Sequence, residues 1–353
     1  MGNLKAMPVE IKWHPGLPIF ASEPFLKAVG DEYGWIGGID DSGQLRCVLP
    51  YTVIRKLGFR MIRFRVETIP LGPQFDVGEE RTFLDSAVRY LRGTGTDMII
   101  PATTNSIFRC YPEGAVAAPY GTYVIDLQQP EETLWKNVHP KNRTAIRNST
   151  KKGVIIRSGM EYLDAAYAQV RDTFRRSGFS FMSSIAFQRM LSGAGDNVKI
   201  FVADYQGMIQ GCTVNFFSRH SAYSVYAGSL PKPVDGATKQ LHWEAIRLFR
   251  DLGVGHYDFV GARVNPEKGS KQEKLMLYKR QLGAHLRQGY IWKYSLRPVK
   301  FALYCLAVRL LQGGDIVDQE HRKLATEALS SSSSNQTNAA GSTKSLDDLT
   351  SNA

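Results

Sequence analysis

Cysteine is scarce and scattered. Cys47, Cys110, Cys212 and Cys305 share no CxxC or Cys–His spacing, so neither a zinc site nor a disulfide framework is expected, and a reducing cytoplasm fits that usage. No apolar run approaches the roughly 18 residues that would span a bilayer. The opening residues, MGNLKAMPVEIKWHPG, lack the apolar stretch of about 7 to 15 residues that a secretory signal needs, so export and integral insertion are not expected. Acidic residues are in the minority, 33 against 44 Lys and Arg. The resulting charge of +11 favours polyanionic partners, such as nucleic acid, nucleotide-sugar phosphates or acidic lipid head groups, and says nothing about fold.

What is present is an alternation of short strands and helices over 353 residues, enough for two domains. A strand over 9–13 precedes a short helix over 22–29. Alternating residues over 35–39 and 45–53, about the turn Asp40-Asp41-Ser42-Gly43, predict a hairpin. A strand over 61–68 carries Arg63 and Arg65 on one face, and a helix over 79–92 and a buried strand over 98–100 follow. The first α/β domain is expected to close near Leu127.

The chain then changes character. An amphipathic helix opens at 131–139, and Lys136, Lys141, Arg143, Arg147, Lys151, Lys152 and Arg157 follow with no acidic residue between them. On a helix starting after Pro140, Arg143 and Arg147 share a face, as a clamp for an anionic ligand requires; a plain basic surface helix has the same pattern. Helices over 162–176 and 184–191, strands over 198–204, 208–217 and 222–228, and a helix over 238–252 make a second α/β unit. Both halves share one coarse order: helix, antiparallel strands, helix, strand. A last strand over 290–294 leads into PVKFALYCLAVRLL, an apolar helix over 298–311 flanked by Arg297, Lys300 and Arg309. It is too short to cross a membrane and reads either as a core-packing helix or as one lying on an anionic membrane surface. From Ser330 the chain is low in complexity and is expected to be disordered.

Residues 256–285, HYDFVGARVNPEKGSKQEKLMLYKRQLGAH, have the character of a site. A strand over 256–259 breaks at Gly261, crosses the turn-rich loop 265–269, and enters a helix near Ser270 with Leu275, Tyr278 and Leu282 on its inward side. A strand end, a loop and a basic helix can hold cations beside an anionic or carbonyl-bearing ligand.

Three strings in order resemble the Fem aminoacyltransferases that build peptidoglycan bridges. They are TYVIDLQQPEETLWKNVHPKNRTAIRNSTKKGVIIR, LHWEAIRLFRDLGVGHYDFVGAR and LMLYKRQLGA, and the likeness covers roughly residues 122–294. The resemblance implies an α/β (α+β) fold of two GNAT-like domains, each a mixed, mostly antiparallel sheet flanked by helices. The expected division is 1–127, 128–296, a helical segment 297–329 and a disordered tail 330–353. No long heptad insertion follows residue 163, so the tRNA-arm coiled coil of some members is not expected.

The resemblance also implies the chemistry. It makes Lys279 the catalytic group that stabilises the donor carbonyl oxygen, with Tyr278 as its positioning neighbour. Arg176, Tyr226 and Lys27 become the acceptor-binding candidates; Arg143 and Arg147 keep the clamp role read from their shared face. Asp258 reads as a base or as a cap on its own loop. Aminolysis of an ester needs a neutral amine and a stabilised oxyanion but no covalent enzyme intermediate, so the absence of a GxSxG elbow is no objection.

A CoA-dependent member of the wider fold would bind pyrophosphate on a Gly-rich turn before the helix over 238–252. That loop is PKPVDGA here; Pro231 and Pro233 lack N–H donors, and Asp235 repels an anion. The expectation is therefore a monomeric cytoplasmic enzyme without cofactor. It would transfer an amino acid from aminoacyl-tRNA to an amine of a lipid-linked or nucleotide-linked peptidoglycan precursor, with peripheral membrane contact through 297–311. The alternative is a CoA-dependent N-acyltransferase acting on a sugar or lipid-linked amine.

Overall fold

The computed structural model describes residues 4–324; the expected disordered tail lies outside them. The first half contributes β1 (Lys5–Val9), α1 (Glu23–Val29), β2 (Glu32–Ile39), β3 (Leu45–Lys56), β4 (Phe59–Phe64), β5 (Ile69–Pro70), α2 (Val77–Arg92) and β6 (Met98–Ile99). After β7 (Val116–Asp126) come α3 (Glu131–Asn137), α4 (Pro140–Lys151), β8 (Ile155–Ser158), α5 (Leu163–Arg176) and α6 (Ser184–Ala194). The chain continues through β9 (Val198–Tyr205), β10 (Met208–Phe217), β11 (Ser221–Ser229), α7 (Ala237–Asp251), β12 (His256–Asp258), α8 (Lys271–Gln281), β13 (His285–Ser295) and α9 (Pro298–Gln312).

The strands form one sheet in the order β1-β2-β3-β4-β6-β13-β7-β12-β11-β10-β9-β8, with β5 on β3. Its two wings repeat each other. In each, antiparallel strands lead through a crossover helix to a strand parallel to the last: β4, α2, β6 in one and β11, α7, β12 in the other. The crossover helices explain themselves. Asp76 and Glu79 close a reciprocal capping box on α2, and Phe83, Leu84, Ala87, Val88 and Leu91 face the sheet. On α7 the buried stripe includes Leu241, Ala245, Ile246 and Phe249.

The central strands are exchanged. β7 follows the first wing but pairs antiparallel with β12 of the second, while Tyr294 and Ser295 at the end of β13 pair with β6 of the first. β7 and β13 pair with each other from His285↔Val124 to Lys293↔Val116. A chain division at residue 127 thus falls just after a strand whose neighbours both belong to the second half. β13 also carries Trp292 into the first half's core, where its ring lies 5.5 Å from Phe64 and 5.4 Å from Phe108.

Two expectations need correcting, and α9 shows features of both of its readings. The first strand is 5–9 rather than 9–13, because Leu4 and Ala6 pack under α2 and the Ala6 amide donates to Ser86 Oγ. Leu275 does not face inward with Tyr278 and Leu282; it is 48% exposed. On α9, Phe301 and Tyr304 pack against Met61, Met98 and Ile100, but the opposite face is apolar and open to solvent. No helix among the described residues is long and apolar enough to cross a membrane.

Candidate active site

The end of β12 is held in an unusual turn. Val260 and Gly261 adopt φ values of +39° and +58°, and for a β-branched residue the left-handed region is costly. Two charged side chains hold the turn from opposite directions. Asp258 Oδ1 accepts from the Val260 amide at 2.7 Å and from Thr122 Oγ1 on β7. Lys279 on α8 donates to the carbonyl oxygens of Val260 at 2.7 Å and Gly261 at 2.8 Å. Ser270 caps α8 by accepting from the Glu273 amide, and that start point brings Lys279 over the turn two helical turns later.

Burial pushes the Lys279 pKa down to about 8, opposed by the Asp258 carboxylate. Burial also raises the Asp258 pKa, against the pull of Arg287 and the Thr122 hydroxyl. Arg287, on β13, lies 3.1 Å from Glu67 and 3.8 Å from Asp258, bridging the two halves of the molecule. With Oδ1 engaged twice and Oδ2 facing Arg287, Asp258 acts as a cap on its loop. Lys279 uses two of its three N–H donors on the turn. It also lines a cleft of about 120 Å³ together with Tyr120, Tyr123, Ala262 and Leu275.

Tyr278 points the other way, donating from its hydroxyl to the Thr238 carbonyl at 3.2 Å and packing its ring edge-on to His242. It anchors α8 on α7. The remaining predicted residues fall into separate groups. Tyr226 is brought onto the face of Tyr223 by a bulge: Val214 pairs with Tyr226 and Asn215 with Ser224, leaving Val225 as the extra residue. Its ring packs against Phe181 at 5.2 Å, and burial pushes its phenol up to about 12 despite the nearby Arg65 cation. Arg176 donates to the Ser229 carbonyl at the end of the same strand and to Thr173 Oγ1 at 2.9 Å.

Lys27 is exposed on α1, with its carbonyl accepting from Arg189. Arg147 stacks over Trp135 at 5.5 Å, and Arg143 is half-buried on the same helix. The start of α4 is tied to α8, since the His139 amide and the Asn142 side chain both donate to the Gln281 carbonyl.

Sequence reasoning passed over Glu67, Thr122, Tyr223 and Arg287. Their one signal is a polar residue within an apolar strand pattern, and only the strand exchange brings them together. Arg65 was seen only as one of a facing pair on a strand. Its guanidinium donates to Thr52 Oγ1 at 2.8 Å and to the Val29 carbonyl at 2.6 Å, with no carboxylate partner among the described residues, and desolvation pushes its pKa down to about 9.

The loop before α7 is exposed at Pro231, Lys232 and Asp235 and is covered at its last turn, Gly236-Ala237. Gly236 has a φ of +87°, and a Cβ added there would lie 2.1 Å from the Ala145 carbonyl oxygen and 3.0 Å from Ser149. α4 therefore packs directly on the turn that leads into α7. Residues 140–275 match the family model described as an acetyltransferase (GNAT) domain. The FemX crystal structure superposes with a TM-score of 0.62 at 14% identity, covering 84% of this chain and 99% of that one. Residues 140–275 are thus similar to a GNAT domain, and the chain as a whole has the fold of FemX.

Two other solved structures are similar at lower scores. One is L-PGS from Bacillus licheniformis, with a TM-score of 0.46 and 14% identity over 79% of this chain and 90% of that one. The other, a tandem GNAT protein from the clavulanic acid biosynthesis pathway, has a TM-score of 0.46 and 13% identity over 84% and 99%. No curated protein is significantly similar in sequence. The GNAT match lies within the second wing and ends within α8, before β13.

Proposed function

We propose that the protein transfers an aminoacyl group from an aminoacyl-tRNA to an amine of a peptidoglycan precursor. The observation that carries this choice of donor is the seat of α4 on Gly236, together with the two prolines of that loop. An acyl-CoA lacks the open, amide-rich helix start on which its pyrophosphate would rest.

In this reading the amine nitrogen attacks the ester carbonyl carbon, the C–N bond forms, and the carbonyl oxygen becomes an oxyanion. The third N–H of Lys279 meets that oxygen in the cleft. Collapse expels the ribose oxygen, which takes up a proton as the amine nitrogen loses one. Tyr278 fixes α8 so that Lys279 keeps its place. Arg176, Tyr226 and Lys27 bind the acceptor, and Arg65 beside Tyr226 favours an acceptor with a carboxylate or phosphate. Arg143 and Arg147 offer charge to the tRNA backbone.

The GNAT domain match favours a second reading, CoA-dependent N-acylation of a sugar or lipid-linked amine. One experiment separates them. Purified protein is given labelled charged tRNAs with a muropeptide precursor, and in parallel is titrated with acyl-CoAs by calorimetry. Label in the precursor without saturable CoA binding is the expected result. Saturable CoA binding with no transfer from any charged tRNA overturns it.

A further inference from the structure

α9 presents an apolar stripe to solvent. Val299, Leu303, Leu306 and Leu310 are 75%, 55%, 55% and 77% exposed, and their spacing of four, three and four places them on one face. A helix at the surface of a water-soluble domain ordinarily turns polar residues outward. Here Phe301 and Tyr304 already supply the inward contact, while Val299 and Leu310 are about three-quarters exposed. At about 100° per residue, Lys300 and Arg309 fall roughly a quarter-turn to either side of the stripe, and the helix holds no acidic residue.

A second element extends this face independently. The tip of the β3–β4 hairpin is Leu57-Gly58, with φ values of +52° and +78°. Such turns ordinarily carry Asn or Gly at the first position. Instead a leucine sits there in a disfavoured backbone conformation, 87% exposed, next to the exposed Lys56. The tip is fastened to α9, since Lys300 Nζ donates to the Gly58 carbonyl at 3.3 Å and Phe59 lies edge-on to Tyr304 at 6.1 Å.

We infer that α9 and the Leu57 tip together form a docking surface for an anionic lipid bilayer. The leucines enter the head-group boundary while Lys56, Lys300 and Arg309 meet the lipid phosphates. Fifteen residues are too few to span the hydrocarbon, so the helix lies in the plane of the surface. A second copy of the chain is the poorer occupant, because two such faces would bring like-charged rims together. Asp97 takes up part of the charge of Arg297 and Lys300 on the inner side, which leaves Lys56 and Arg309 as the principal outward cations. The inference goes beyond the catalytic reading and holds whichever acyl group is moved.

The test uses the full chain in vesicle co-sedimentation, with phosphatidylcholine alone and with phosphatidylcholine containing one-third phosphatidylglycerol, beside size-exclusion chromatography. Binding at least tenfold stronger to the anionic vesicles, weakening with added salt, is expected. Leu57→Ser and the pair Val299→Ser with Leu310→Ser should each lower it about tenfold with unchanged melting temperature, because these side chains are 75% or more exposed. Arg309→Glu should abolish the preference for anionic lipid. Equal binding by the Leu57 and Val299/Leu310 variants, or no binding by the parent chain, overturns the inference. So does a dimer in solution that these same changes dissociate, which would make the occupant a second copy.

Discussion

The Lys279 ammonium lies 2.7 Å from the carbonyl oxygen of Val260, so the candidate oxyanion stabiliser also holds a left-handed valine in place. Replacing Lys279 with Met should remove both roles. Single-turnover transfer should fall by about 10²–10³, the usual loss of an oxyanion donor. Stability should fall by about 1–3 kcal/mol, because two carbonyls lose their partner. Unchanged turnover in a destabilised variant would leave Lys279 a purely structural group.

The depressed Lys279 pKa gives opposite pH trends for rate and stability. The ammonium form is the one that acts, so the rate should decline as pH rises through about 8. Stability moves the other way. The unfolded lysine titrates near 10.4, so above pH 8 the unfolded chain binds more protons than the folded one, and this group's contribution to stability rises. At lower pH both states are protonated and the penalty for burying the charge is fully present. Rate profiles and urea melts between pH 7 and 10, with Lys279→Met as reference, check both signs.

Gly236→Ala should destabilise the protein by more than about 2 kcal/mol, since the added carbon meets the Ala145 carbonyl at 2.1 Å and the backbone is left-handed. A melting temperature equal to that of the parent would mean that α4 moves aside easily. The loop before α7 would then be open to a CoA pyrophosphate after all.

Tyr226→Phe keeps the ring packed against Phe181 and removes only the hydroxyl. If Tyr226 binds the acceptor, KM for the acceptor should rise roughly tenfold with kcat nearly unchanged, the signature of lost uniform binding. An equal fall in kcat and kcat/KM would instead place the hydroxyl in the chemical step.

Legibility followed the range of the interactions. The hairpin about Asp40–Gly43 and the crossover helices were readable because turn chemistry and apolar spacing are local; both helices appear within two residues of their expected bounds. The roles of Lys279 and Tyr278 rested on a resemblance; that neighbouring helix positions diverge by about 100° was legible, but their partners, the Val260 turn and Thr238, were not. The Glu67–Arg287–Asp258 cluster was invisible, since it joins residues up to 220 positions apart through an exchange of strands. The bulge at Val225, which turns Tyr226 to the face of Tyr223, depends on pairing register and leaves no mark in composition. The outward leucines of α9 were visible as residues, but which side of the helix met water was decided by the small cluster at Met61 and Met98.

Trp292 extends the same theme. Trp292→Ala should cost about 3–5 kcal/mol and unfold both halves in a single transition, because the ring belongs to the first half's core while its strand pairs with β7. Two separate melting transitions would contradict that coupling.

The exchange of β7 and β13 also dictates the order in which the molecule can be made. A ribosome that has produced the whole first wing has not yet produced Trp292, the large ring at the centre of that wing's core, and β7 waits for both of its neighbours. The N-terminal half therefore cannot complete its fold ahead of the rest during synthesis, as most domains do. It stays incomplete, with β6 exposed along one edge, until nearly all of the chain has emerged.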